Sequence, residues 1–207
     1  MKANGLNEGC MRSRVLLLCF ILFFSFIVTA RADADTDFRK SSWGMSPKQV
    51  KATEKKKPFY EDKLDANRTI ITYKERIVGL SAYVVYIFTY GKLTRTKYQI
   101  FENHTNKTEY LSDYYSLLEV LRAKYRSPNR EDTFWKNDLY KDDPKDWGMA
   151  VAVGHLSMFA SWETERTNIT LALFGDNFKI DLGIEYTSKE YGNLEKKAQT
   201  AEEEMKF

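Results

Sequence analysis

The sequence predicts an α+β protein in which helices pack on an antiparallel sheet. Three observations carry this. Two segments show helical spacing behind a capping signal. At least six runs are rich in β-branched and aromatic residues and are separated by short turn signals. The last of these runs alternates cleanly, with Phe178, Ile180, Leu182, Ile184 and Tyr186 on one side and Lys179, Asp181 and Glu185 on the other. That alternation is the mark of a sheet with one face on a core and one in water.

The N-terminal segment, residues 1–34, reads as a signal peptide. Val15 to Ala30 carries no charge, Arg12 and Arg14 precede it, and Ala30, Ala32 and Ala34 have the small-residue spacing of a cleavage site. The apolar run is short for a spanning helix, which needs about 20 residues. The alternative is an inner-membrane anchor formed by residues 15–30. Met11 opens a tidier leader than Met1. Cys19 follows three leucines, so it lacks the small preceding residue of a lipidation site.

Removing the leader changes the charge balance. The chain holds 32 Lys and Arg against 29 Asp and Glu; four of the former and two of the latter lie in residues 1–34, leaving 28 against 27. A near-neutral chain is not a basic nucleic-acid binder. Both cysteines, Cys10 and Cys19, fall in the leader, so the mature chain holds no disulfide, thiolate ligand or cysteine nucleophile. The remaining length supports one good-sized core, burying roughly 70% of the unfolded surface. A periplasmic or secreted protein is expected, meeting a membrane only through an uncleaved leader.

The first helix is predicted from Pro47 to about Lys56. Ser46 suits the cap, Pro47 the first helical position and Gln49 the reciprocal position of a capping box. Pro58 stops it. Its lysines form a solvated face. Strands follow at Thr69–Tyr73, Leu80–Tyr90 and Leu93–Phe101, with Gly91-Lys92 as a hairpin turn. The second helix starts behind Asn106-Lys107-Thr108-Glu109, another capping-box pattern. It places Tyr110, Leu111, Tyr114, Leu117, Leu118, Leu121 and Tyr125 on one stripe, and Ser127-Pro128 ends it. A short strand around Thr133–Trp135 leads into an acidic, aromatic insertion, Lys136–Trp147. Three strands close the chain, at Leu156–Thr164, Asn168–Phe174 and Phe178–Tyr186, with turn chemistry at Gly175-Asp176-Asn177. The charged tail, residues 188–207, is either a short helix or a frayed end. The pattern suggests two tandem αβββ units, residues 38–101 and 106–187. Trp43-Gly44-Met45 recurs as Trp147-Gly148-Met149, but no helix signal follows the second copy.

Phe38, Arg39, Trp43, Gly44, Met45, Ser46 and Val50 fit a recurring opening of exported bacterial proteins of unknown function, and the chain resembles them there. A helix followed by three antiparallel strands is also similar to the module of BamE-type outer-membrane assembly lipoproteins and of β-lactamase-inhibitor-like proteins. The chain departs from them in lacking a lipobox cysteine and in closing its second helix with Tyr125-Arg126-Ser127-Pro128. The resemblance implies a non-enzymatic envelope module that binds another protein.

No phosphate-cradling glycine loop, nucleophile elbow or His-Glu-x-x-His pattern occurs. His104 lies in a polar turn and His155 in an apolar run that reads as core. Four Asn-X-Ser/Thr sequons, at Asn67, Asn103, Asn106 and Asn168, read as turn chemistry. No catalytic set, cofactor or metal centre is expected. The most site-like segment is the insertion, where Trp135, Tyr140, Asp142, Asp143 and Trp147 make a candidate partner-binding loop. Asp138, Asp142, Asp143 and Asp146 are a weak Ca²⁺ candidate, because their spacing departs from the EF-hand. The bland reading of the same loop is a solvated insertion whose tryptophans fold back onto the sheet. The functional expectation is an exported interaction module. A small-ligand or Ca²⁺-binding periplasmic protein and a carboxylate-based hydrolase are the alternatives.

Overall fold

Residues 36–204 are described by the computed structural model, so the expected leader and its expected cleavage positions lie outside the described residues. The chain forms α1 (Pro47–Glu54), β1 (Tyr60–Lys63), β2 (Arg68–Ile77), β3 (Leu80–Thr89), β4 (Lys92–Ile100) and α2 (Glu109–Tyr125). It continues through β5 (Arg130–Trp135), a 3-10 turn at Pro144–Asp146, α3 (Trp147–Ala152), β6 (Leu156–Glu163), β7 (Thr167–Asp176), β8 (Lys179–Ser188) and α4 (Gly192–Glu204). The protein is thus α+β, with one eight-stranded antiparallel sheet in the order β1-β2-β3-β4-β8-β7-β6-β5. Both expected units contribute to it, joined where β4 pairs with β8.

α1 begins as the residues dictate. Ser46 Oγ accepts from Gln49 N, and Gln49 Oε1 accepts from Ser46 N at 2.9 Å, completing the capping box. Lys55 adopts a left-handed conformation (φ 56°) and ends the helix before Pro58. The second capping box does not form. Asn106 Oδ1 instead accepts from Thr108 N at 3.1 Å, a local turn that competes with the cap, and Glu109 turns back to His104. Helix α2 therefore starts at Glu109 without a side-chain cap.

Three hairpin turns, Val78-Gly79, Tyr90-Gly91 and Asn177-Phe178, have positive φ at both central residues. That is the geometry matching the twist of paired strands. The turns expected at Gly91-Lys92 and Gly175-Asp176-Asn177 are thus displaced by one or two residues.

Strand β1 carries no sequence signal. It is the edge strand Tyr-Glu-Asp-Lys with all four residues exposed, so no apolar alternation is required of it. The first unit accordingly has four strands, not three. The second Trp-Gly-Met also behaves otherwise than expected. Trp147 opens α3, whereas Gly44 sits in a left-handed turn (φ 82°) ahead of α1. The shared tripeptide therefore has no shared conformation. The tail forms helix α4.

The core lies between one sheet face and α1, α2, α3 and residues 38–43. Phe88, Tyr86, Leu171, Leu173, Leu156 and Trp162 come from the sheet, and Tyr114, Leu117, Leu118, Val50, Phe38 and Trp43 meet them. Phe38 touches Tyr86, Tyr98 and Tyr186 with ring centroids 5.0–5.6 Å apart. Of the residues behind the W-G-M-S resemblance, Phe38, Trp43 and Val50 are core residues and Met45 packs partly buried against them, whereas Arg39 is exposed. α4 packs on the opposite face, against β3 and β4. No helix of the described residues is long and apolar enough to cross a membrane.

Candidate functional site

Three places gather side chains that could do more than fold the chain. The first is the insertion between β5 and α3. Trp135, Tyr140 and Trp147 turn inward and pack partly buried against the core, with Trp135 and Trp147 edge to face at 5.6 Å. The Trp147 indole N–H donates to Lys141 O at 3.0 Å. Tyr140 lies 5.6 Å from the His155 ring, whose Nδ1 is buried without a hydrogen-bond partner among the described residues. The aspartates point the other way and are exposed. Asp138 pairs with Lys141 at 3.1 Å, and Asp143 Oδ1 accepts from Lys145 N at 3.0 Å, capping the short turn. Among the described residues no group of three or more His, Cys, Asp and Glu side chains converges on a metal position. The sequence-predicted residues are therefore neighbours in the chain whose aromatic and acidic members part company.

The second place is a polar cluster at the end of α1. Arg39, itself at φ 54°, sets its guanidinium between Glu54 (3.0 Å) and Glu75 (3.4 Å), and the Tyr86 hydroxyl donates to Glu54. Burial opposes the charge on Arg39, but Glu54 and its neighbours more than offset this and raise its pKa. Burial and the Glu54 carboxylate push the Tyr86 hydroxyl far above the ordinary tyrosine range, so it is a fixed donor. Arg39, Lys40, Thr53, Glu54 and Lys55 line a depression of about 350 Å³. Its one buried carboxylate is neutralised in place, so the cluster is built to hold α1 and residues 39–41 down.

The third place is the sheet face opposite the core. Alternation puts Tyr83, Val85, Ile87 and Thr89 of β3 and Arg95, Lys97 and Gln99 of β4 on this face. α4 covers its upper part over β2–β4. Glu195 of α4 accepts from Thr89 Oγ1 (2.5 Å) and Arg95 Nη2 (2.7 Å), and also from Thr94, while Glu202 meets Arg68 at 2.5 Å. Burial acts to raise the Glu195 pKa, but these three partners hold it below the usual glutamate value.

On the other half, β5–β8, no described helix covers the face. Phe134 (49% exposed), Phe159 and Phe174 (43% exposed) stand there, with Phe134 and Phe159 edge to face at 5.9 Å. Between them and β4 lies a depression of about 280 Å³, floored by Ala172 and Gly183 and rimmed by Lys97, Gln99, Asp181 and Glu185. Gly183 is demanded by packing, because a Cβ there would stand 2.8 Å from the Tyr98 carbonyl oxygen. Sequence reading identified these strands but not the patch. The available signal was that Phe159, Ala172 and Phe174 alternate with the core residues of β6 and β7.

No protein-family model, no curated protein and no solved structure matches this chain.

Proposed function

We propose that the protein is an exported, non-enzymatic interaction module that binds another protein of the cell envelope through the β5–β8 half of its outer sheet face. The observation that carries this is the contrast between the two halves of one face. One is covered by α4, and the other exposes Phe134 and Phe174, with the half-buried Phe159 between them, beside a floor of small residues. Clustered exposed aromatics with polar rims mark interaction surfaces, whereas apolar residues scattered singly need no explanation. The leader composition supports export, and the resemblance at Phe38–Val50 supports an envelope setting.

The architecture is read as two units of one plan, each a helix followed by four strands, meeting at β4 and β8. The second unit inserts α3 after its first strand. The hydrolase alternative has less support, because Arg39 binds both Glu54 and Glu75 at the polar cluster.

The test is site-specific photocross-linking in the host envelope. p-Benzoylphenylalanine in place of Phe159 is expected to give one discrete adduct. The same probe in place of Val120, exposed on α2 away from the patch, is expected to give none. No adduct from position 159, or the same adducts from both positions, would overturn the reading.

A further inference from the structure

The bare half of the sheet face is the counterpart, by register, of the half that α4 covers. β4 and β8 run antiparallel and pair Lys97 with Glu185. A two-fold axis through that pair carries β3 onto β7 and β2 onto β6. Arg95, Ile87 and Ile70 are consecutive partners across three strands, and they fall on Gly183, Ala172 and Phe159. Thr89 falls on Phe174. Arg95 and Thr89 are two of the residues that hold Glu195 of α4. The first seat is filled from within the chain; the second is filled by no described residue.

We infer that the second seat receives an amphipathic helix of the partner protein, laid across the strands as α4 is, with Lys or Arg along the side that meets β8. The inference rests on the interaction reading above and names the partner's chemistry. Packed helices stand 8–10 Å apart and sheets about 10 Å apart, so a docked helix would continue the layer that α4 begins. The two seats differ in a way that specifies the occupant. Under α4 the floor is large, with Ile87 and Ile70, and the helix presents the fully buried Ala198. In the open seat the floor is Ala172 and Gly183, so the incoming helix has room for Leu-sized side chains between Phe159 and Phe174.

Charge sets the flank. Asp181 and Glu185 lie two residues either side of Gly183 and so share its face. Asp181 is met by the Gln99 amide at 3.1 Å. Among the described residues Glu185 has a 3.7 Å approach from Arg95, which Glu195 engages at 2.7 Å. Lys97, in register with Glu185, donates its ammonium to Gln99 Oε1 at 3.3 Å, and Lys179, two residues before Asp181, shares this face in register with Asp176 of β7. With Arg95 engaged by Glu195, two lysines against the three carboxylates Asp176, Asp181 and Glu185 leave the β8 margin acidic.

The test titrates the full protein into fluorescein-labelled model helices of about sixteen residues. One carries Leu at helical spacing with Lys on the flank; its twin carries Glu there. The Lys helix is expected to bind at least about tenfold more tightly than its twin, and Phe159→Asp to weaken it by about tenfold or more. Phe174→Ser gives a second, milder variant, and circular dichroism confirms that each is folded. The double change Asp181→Asn, Glu185→Gln is expected to abolish the preference between the two helices. Equal binding of both helices, or binding that survives Phe159→Asp, overturns the inference. So does a dimer in sedimentation that Phe159→Asp dissociates, because a second copy would then hold the seat. If neither helix binds while position 159 still captures a partner, the helix falls and the interaction reading stands. If position 159 captures nothing, both fall.

Discussion

The Trp43 indole N–H donates to Thr167 Oγ1 at 2.9 Å, across 124 residues of chain and inside the core. One bond thus ties the residue before the Gly44 turn to the first residue of β7. Trp43 also sits 5% exposed in the same cluster as Val50 and Trp162, and Asp37 Oδ2 accepts from its backbone N–H at 2.8 Å. The segment ahead of α1 is therefore part of the second half's core as much as of the first's.

Thr167→Val preserves shape but leaves the indole N–H buried and unpaired, so it is expected to cost about 1–3 kcal/mol. Trp43→Ala removes both the bond and the ring and is expected to cost about 3–5 kcal/mol. Urea unfolding followed by circular dichroism measures both. A Thr167→Val midpoint equal to wild type would show that the bond contributes nothing net.

Gly148 seats α3 against the backbone that leads into α2. A Cβ there would lie 2.3 Å from Lys107 C and Thr108 N, and backbone at a helix start has little freedom to move. Gly148→Ala is therefore expected to destabilise the fold by more than about 2 kcal/mol, although alanine alone favours a helix by about 1 kcal/mol. Gly79→Ala is the control. It meets no neighbour within 4 Å, and only its positive φ opposes it, at about 1–2 kcal/mol. Thermal unfolding of the two variants should rank them in that order.

Glu195 makes α4 docking pH-dependent. Its folded pKa is depressed below 4.5, the ordinary glutamate value, by Thr89, Thr94 and Arg95 acting against burial. A depressed carboxylate contributes its full stability above the unfolded value and loses it as pH falls through the lower folded value. α4 is thus expected to be protected from proteolysis at neutral pH and to become cleavable below the ordinary glutamate value. Glu195→Gln should lose about 1–3 kcal/mol at neutral pH and flatten that dependence. A protection profile unchanged by the substitution would show that Glu195 does not hold the helix.

The exposed phenylalanines should matter for binding and not for folding. Phe134→Ser and Phe174→Ser are expected to leave stability within about 1 kcal/mol of wild type, because both side chains are already nearly half in solvent. The same changes should remove the cross-linked adduct described above. A large loss of stability would mean that the patch is part of the core.

Much of the fold was legible along the chain because the signals are local. The Ser46 capping box, the α2 stripe and the alternation of β8 depend on residues within one or two turns of each other. Leu182, Ile184 and Tyr186 are buried as their alternation requires, while Phe178 is 64% exposed because it belongs to the turn. Where local cues competed, the nearer interaction won, as when Asn106 made its own turn in place of a cap. Edge strand β1 was illegible because nothing buries it. The candidate site was less legible. The insertion drew notice because Trp135, Tyr140 and Trp147 stand among aspartates, yet those rings belong to the core. Phe134, Phe159 and Phe174 form a patch only because β5, β6 and β7 pair in a particular register.

By its sequence alone the chain determined an uncharged apolar run at residues 15–30, a charge balance near neutral beyond residue 34, the absence of cysteines there and an α+β antiparallel plan. These follow from composition and from periods of two and of 3.6 residues, which neighbours in the chain specify. Only the tertiary structure decided that both halves share one sheet, that Trp43 reaches Thr167, and that α4 covers one half of the outer face and leaves the other open. Those outcomes depend on which strands become partners and on which face a helix finds its seat. Residues about a hundred positions apart set both, through packing and paired charges that no local period records.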